Sequence, residues 1–289
     1  MNQRVENRAE SVRLSAGGLS LHALERNPTG DPAVLFLHGW LDHCHSFDWL
    51  CAELPASWRQ IALDFRGMGQ SAHLTDGGLY HFTDYVADVE WALSSLGIDQ
   101  VHLVGHSLGG SVALAYAAAR PEQVASVTTI ESLGPSGGTA DRAAERLRGF
   151  AADLHKLRRK RTYASLDAAV ARVRQNNSGL SERAAHHLVR YGTRPSSTGG
   201  VEFTFDPAHR WRFGFAYDEE QLVAILGAIR ARVQIIRGEQ GFTFDDEQMK
   251  ARLARLGSPK PITVPGGHHV HMDSPKEVAA LVRAFVERS

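Results

Sequence analysis

Cysteine is almost missing from this chain: the 289 residues hold two, Cys44 and Cys51, too few for a disulfide framework. Seven positions apart, they would share one helical face, and they read as buried free thiols. An excess of charge of either sign is missing as well. Lys+Arg and Asp+Glu balance at 32 each, which removes the electrostatic case for nucleic acid or an anionic membrane as a partner. No apolar run reaches the roughly 20 residues of a membrane span. The opening stretch MNQRVENRAESVR is polar and holds no signal-peptide core, so a cytoplasmic protein is expected. Repeats and low-complexity tracts are absent too. What remains is an ordinary globular composition, 43% hydrophobic and 22% charged, long enough to bury a sizeable core.

Short β-branched and apolar runs alternate with helical patterns, the mark of strand–helix–strand units and a mostly parallel sheet. Ser11–Leu14 and Leu19–Glu25, separated by Gly17 and Gly18, predict an antiparallel hairpin. Ala33–Leu37, Gln60–Leu63, Val101–Val104, Val124–Ile130, Val233–Ile236 and Ile262–Val264 bring the expected strands to eight. Thr83 is placed to cap a helix with Val86, Val89, Leu93 and Leu96 on its apolar face, stopped by Gly97. Ala-rich Leu108–Arg120 ends at Pro121, and Ser274-Pro275-Lys276-Glu277 is a capping box opening a C-terminal helix. Between 136 and 230 the alternation stops. A long amphipathic helix over Asp141–Arg161, shorter ones at 165–175, 181–190 and 219–229, and one short strand at Val201–Phe205 describe a helical cap. The expected organisation is a core at 1–135 and 231–289 with the cap at 136–230 between.

Gly105-His106-Ser107-Leu108-Gly109-Gly110 follows an apolar strand and opens a helix, the context of a G-x-S-x-G nucleophile elbow. A serine on so tight a turn needs neighbours without Cβ atoms two residues either side, which Gly105 and Gly109 supply. The Leu108 amide is one expected oxyanion donor. Leu37-His38-Gly39-Trp40-Leu41-Asp42 follows the third strand; the Trp40 amide is the second donor, and His38, Gly39 and His106 are expected at the substrate pocket.

The base belongs on the loop Pro265-Gly266-Gly267-His268-His269-Val270-His271. His268, directly after the glycines, is the expected partner of Ser107, with His269 pointing away and His271 packing or hydrogen-bonding below. These histidines could instead join His38, His43, His45, Asp42, Cys44 and Asp273 around zinc. No recognised zinc spacing links them, however, and the elbow needs a base, so neither metal nor cofactor is expected. The acid should precede the histidine in the chain. Its usual slot, Gly238-Glu239-Gln240-Gly241, holds glycine where the carboxylate would stand. Glu131, at the end of the strand beside the elbow strand, is favoured; Asp245 and Asp246 stay open as alternatives, with Glu239 behind them.

These motifs, with Asp64-Phe65-Arg66-Gly67-Met68-Gly69-Gln70-Ser71, resemble the α/β-hydrolase superfamily across nearly the whole chain, and within it the serine hydrolase-like group. The resemblance implies an eight-stranded sheet, a cap over the site and cofactor-free ester hydrolysis. Thr129-Ile130-Glu131-Ser132-Leu133-Gly134-Pro135 also resembles the haloalkane dehalogenase pattern in which this glutamate is the triad acid, although dehalogenases and epoxide hydrolases carry aspartate at the elbow. Met68 stands where histidine is common, with a local packing consequence expected. The expected activity is cleavage of a small-molecule carboxylic ester through an acyl-enzyme, by a monomer or homodimer. A weakly turning-over ligand-binding or receptor protein, and carbon–carbon bond hydrolysis or lyase chemistry, remain open on the same motifs.

Overall fold

Parallel strands covered on both faces need apolar side chains on both, and the core strands have them. In the third strand Leu35 and Leu37 enter one buried cluster while Val34 and Phe36 enter another. The computed structural model describes residues 8–75, 78–135, 137–156, 160–177, 179–244 and 246–288. Its main sheet contains β1 (Glu10–Ala16), β2 (Leu19–Arg26), β3 (Ala33–Leu37), β4 (Arg59–Asp64), β5 (Val101–His106) and β6 (Val124–Ile130). Three small strands follow in the chain, β7 (Thr162–Tyr163), β8 (Thr193–Pro195) and β9 (Val201–Phe203), and then β10 (Arg232–Gly238) and β11 (Ile262–Val264) complete the main sheet. The order β1-β2-β4-β3-β5-β6-β10-β11 uses all eight expected strands. The β1–β2 and β2–β4 pairs are antiparallel and the others parallel.

Helices α1 (Asp48–Glu53), α2 (Phe82–Leu96) and α3 (Leu108–Ala119) lie in the first part of the chain. Val89 and Leu93 of α2 and Val112 and Ala113 of α3 fill one face of the sheet. Leu50 and Cys51 of α1 fill the other, with Val278, Val282 and Val286 of the C-terminal helix. Two expected caps are corrected. Helix α2 starts one residue before Thr83, with the Asp84 carboxylate accepting the His81 amide at 2.7 Å. The Ser274 hydroxyl turns back to the Pro265 carbonyl at 2.6 Å instead of capping, which ties the helix start to the loop after β11.

Between β6 and β10 lie α4 (Ala143–Asp153), α5 (Leu166–Asn176), α6 (Glu182–Gly192), α7 (Glu219–Leu226) and a small sheet ordered β7-β9-β8. The long helix expected over Asp141–Arg161 is shorter. It stops at Asp153, whose buried carboxylate takes the Arg212 backbone amide at 2.9 Å and two guanidinium bonds. Downstream, Lys160 donates to the carbonyls of Phe203 and Thr204, while Leu157, Arg158 and Arg159 lie outside the described residues. Tyr163, Val170, Ala184 and Val189 form a small core that also takes Met272 from the segment after β11. The inserted segment is therefore seated on the carboxyl ends of the strands. After β10 come α8 (Glu247–Arg255), α9 (Val270–Asp273) and α10 (Pro275–Val286). Among the described residues no helix is long and apolar enough to cross a membrane.

Candidate active site

Adjacent parallel strands in register carry their following residues to one rim of the sheet, where open α/β sheets bind ligands. His106 of β5 lies opposite Ile130 of β6, which lies opposite Ile236 of β10. The next residues extend those ladders by one step: the Ser107 amide donates to Ile130 at 2.9 Å, and the Glu131 amide to Ile236 at 2.8 Å. Both residues then leave the sheet through the left-handed region, Ser107 at φ 50° and Glu131 at φ 56°. Such backbone is costly for residues with a Cβ and persists only where the surroundings enforce it. At Ser107 the enforcement is steric. A Cβ on Gly105 would fall on the Gly109 carbonyl, and one on Gly109 on the carbonyl of Leu37. The Ser107 carbonyl takes the amides of Gly110 and Ser111 at 3.1 Å, so the helix begins at the serine and its positive end faces the rim.

Glu131 is buried at 1% exposure, and its carboxylate is fully engaged. The Gly238 amide donates to one oxygen at 2.7 Å; the Phe242 amide, also at 2.7 Å, and His268 Nδ1, at 3.2 Å, donate to the other. The glycine in the usual acid slot now has a reason. A Cβ at Gly241 would fall on the Glu131 carboxylate, so the two positions exclude one another. The remaining candidates lie elsewhere in the structure. Asp246 caps α8 by accepting the Met249 amide at 2.8 Å. Glu239 is exposed, and Asp245 lies outside the described residues. Phe242, missed from sequence, stands 53% exposed with its ring 4.7 Å from that of His268. The signal available was an aromatic directly after the glycine of the acid slot.

His268 is half-buried, with Nδ1 on Glu131, and among the described residues its other ring nitrogen makes no hydrogen bond. Ser107 is likewise part-exposed, and among the described residues its hydroxyl makes no hydrogen bond. Serine–histidine contacts without substrate are often loose. His269 turns elsewhere, its ring perpendicular to that of His268 at 89° and 5.0 Å from His106. His271 is fully buried, packed on Phe47 and His106, and neither ring nitrogen has a hydrogen-bond partner. Burial drives the His106 and His271 imidazoles well below their ordinary range and His269 to about 4, with the neighbouring histidines adding to the effect.

On the other side of Ser107, the Gly39–Asp42 turn is closed by the Asp42 amide on the Gly39 carbonyl at 3.3 Å. Leu41 sits at φ 60° and gives its amide to the Met68 sulfur at 3.2 Å, the local consequence of methionine at that position. The amides of Trp40 and Leu108 take part in none of the turn or cap hydrogen bonds of this region. The Trp40 side chain is 52% exposed and its indole N–H reaches the His209 carbonyl of the inserted segment at 3.2 Å. Two expected pocket residues are corrected. His38 is wholly buried, accepting the Phe65 amide at 3.1 Å on Nε2 and donating from Nδ1 to Gly39 at 2.7 Å, so it braces the turn. His106 is also buried and lies behind the serine. Gly39 remains at the rim side, facing His106 and the Ser107 Cβ.

Residues 32–275 match the family model described as alpha/beta hydrolase fold. A serine hydrolase-like protein of Danio rerio is 31% identical over 90% of this chain and 83% of its own length. Among solved structures, a hypothetical protein from Pseudomonas aeruginosa PAO1 superposes with a TM-score of 0.86 and 32% identity, covering 96% of this chain and 98% of that one. A thioesterase domain from the curacin biosynthetic pathway superposes with a TM-score of 0.83 and 25% identity over 96% of this chain and 99% of that one.

Proposed function

The chain belongs to the α/β-hydrolase fold family, in its serine hydrolase-like group, and from that premise we propose that it cleaves carboxylic esters through Ser107, His268 and Glu131. One observation carries the reading: a buried carboxylate, Glu131, bonds to His268 Nδ1 at the strand end beside the Ser107 elbow. That bond fixes the imidazole tautomer and leaves Nε2 as the basic nitrogen. His268 Nε2 takes the hydroxyl proton as Ser107 Oγ attacks the ester carbonyl, and the anionic charge of Glu131 stabilises the imidazolium formed. The carbonyl oxygen, now anionic, lies between the Trp40 and Leu108 amides, each worth roughly 3 kcal/mol in such a role. Collapse returns the proton to the departing alcohol and leaves an acyl-Ser107 ester. Water, deprotonated by the same nitrogen, then releases the acid.

Trp40, next to Gly39, and Phe242, with its ring 4.7 Å from that of His268, are exposed aromatics that would flank the substrate, under a cap made of residues 136–230. The reading takes the protein as a cytoplasmic monomer or homodimer acting on a small-molecule ester without a cofactor. A thioester is the natural competing substrate, since the curacin neighbour is a thioesterase domain.

Ser107→Ala is expected to abolish hydrolysis of short p-nitrophenyl esters while thermal unfolding stays unchanged; undiminished turnover would sink the assignment. Labelling of Ser107 by a fluorophosphonate without steady-state turnover would favour a ligand-binding protein instead.

A further inference from the structure

Two groups of metal-ligating side chains lie among the described residues, each with its ligand atoms within 4.8 Å of one another. In the first, His22, Cys44 and Asp64, the polar side-chain atoms are answered from within. His22 donates to Asp64 at 2.7 Å and meets the Ser11 hydroxyl at 2.9 Å. Asp64 also takes the amides of Cys44 and Gln70 at 2.7 and 2.8 Å. Nothing there calls for an ion.

The second group, Asp42, His106 and His269, is built differently. His106 Nε2 donates to the His268 carbonyl at 2.8 Å, so in the neutral ring Nδ1 carries a bare lone pair. That nitrogen is buried with no hydrogen-bond partner. Asp42 takes the His43 amide on Oδ1 at 2.8 Å, and its Oδ2 is also buried without a partner. Two unanswered acceptors in one dry space are unfavourable unless a positive centre or a donor lies between them. His269, part-exposed, brings a third donor atom from the solvent side.

We propose that Asp42 Oδ2, His106 Nδ1 and a ring nitrogen of His269 bind one divalent transition-metal ion of the zinc class, and that the bound ion slows the hydrolase. Two imidazoles and a carboxylate with one open position suit zinc. Ligand atoms around a tetrahedral zinc lie about 3.3 Å apart, so the three must draw together on binding, with His269 the one member of the group that is not buried. The ion acts on the reaction by charge and by restraint. The rings of His106 and His268 lie 4.8 Å apart, so a dication on His106 opposes the imidazolium that His268 must become. Coordination of His106 and His269 also holds the His268 backbone, bonded to the one and adjacent to the other. The binding claim stands independently of the proposed hydrolysis; only the effect on turnover rests on it.

The test uses the full chain after EDTA treatment and gel filtration. Calorimetry with zinc chloride should show one saturable site, and cobalt(II) should give visible d–d bands of low-coordinate geometry. Asp42→Asn and His269→Gln should each weaken zinc at least tenfold and leave metal-free p-nitrophenyl acetate turnover unchanged, while His268→Ala should retain binding. Zinc should inhibit the wild type reversibly by EDTA and the two ligand variants at least tenfold less potently. If either ligand variant fails to fold, the other carries the comparison. Absence of saturable binding overturns the site, as does loss of binding in His268→Ala, which would put the ion on the base. Wild-type zinc affinity in a folded ligand variant overturns it too. Binding without inhibition overturns the regulatory half if turnover is otherwise normal, whereas absence of turnover in the metal-free wild type counts against the hydrolase reading and leaves the site standing.

Discussion

Two buried carboxylates lie on either side of the Ser107 turn, and they are solved in opposite ways. Glu131 receives two backbone amides and an imidazole. Asp42 receives the His43 amide on one oxygen and leaves the other buried without a hydrogen bond. Burial raises the Asp42 carboxyl above its ordinary range, opposed by the nearby His38 and the His43 amide. The contrast teaches where each can serve. A carboxylate held by fixed donors can keep its charge in a dry place and orient an imidazole. One with a free oxygen is open to a cation, a proton or water.

Substituting Glu131 breaks the comparison at its saturated end and should have the largest effect. Glu131→Gln is expected to lower kcat by roughly a thousandfold or more, since the neutral amide neither stabilises imidazolium nor enforces the tautomer. Full activity in that variant would remove Glu131 from the triad. A smaller effect concerns three buried histidines whose rings are held neutral. Burial takes His43, His209 and His269 to about 4. Unfolded, these side chains titrate near 6.5, so as pH falls from about 6.5 toward 4 the unfolded chain binds more protons and stability is lost. Asp42, with its raised pKa, acts in the opposite sense but is outnumbered. Tm should therefore drop by several degrees between pH 7 and pH 5, and a flat profile by differential scanning fluorimetry would contradict the buried neutral rings. The smallest effect falls on the rejected acid. Asp246→Ala removes a helix cap worth about 1 kcal/mol and should leave kcat untouched. A collapse in kcat there would reinstate Asp246 and displace Glu131.

Much of the fold was legible because it is local. All eight core strands were predicted within a few residues, from apolar runs bounded by Gly, Pro and polar residues. The elbow was equally plain, since Gly105 and Gly109 are required by the turn that Ser107 itself makes. The inserted segment was less legible. Its amphipathic stripe predicted a helix through Arg161, but the helix stops at Asp153, whose buried carboxylate is held by the exposed Arg212, far along the chain. Leu147, within the helix, and Leu154, just past it, stand 47% and 45% exposed, so periodicity alone overstated the element. His38 is misplaced for a similar reason: its hydrogen bond from the Phe65 amide comes from the residue after β4, the strand paired with β3, and no spacing in the sequence shows it.

By itself, then, the sequence determined the strand set and the tight glycine-flanked turn at Ser107, because backbone sterics and apolar periodicity act over a few neighbouring residues. Only the tertiary structure decided which acid meets His268. Glu131 fits because Gly241, more than a hundred residues later, vacates the space its carboxylate occupies. The gathering of Asp42, His106 and His269 was decided in the same way. Their spacing matches no metal motif, since Asp42 and His269 come from separate loops and His106 from the end of β5, brought together by the register of parallel strands.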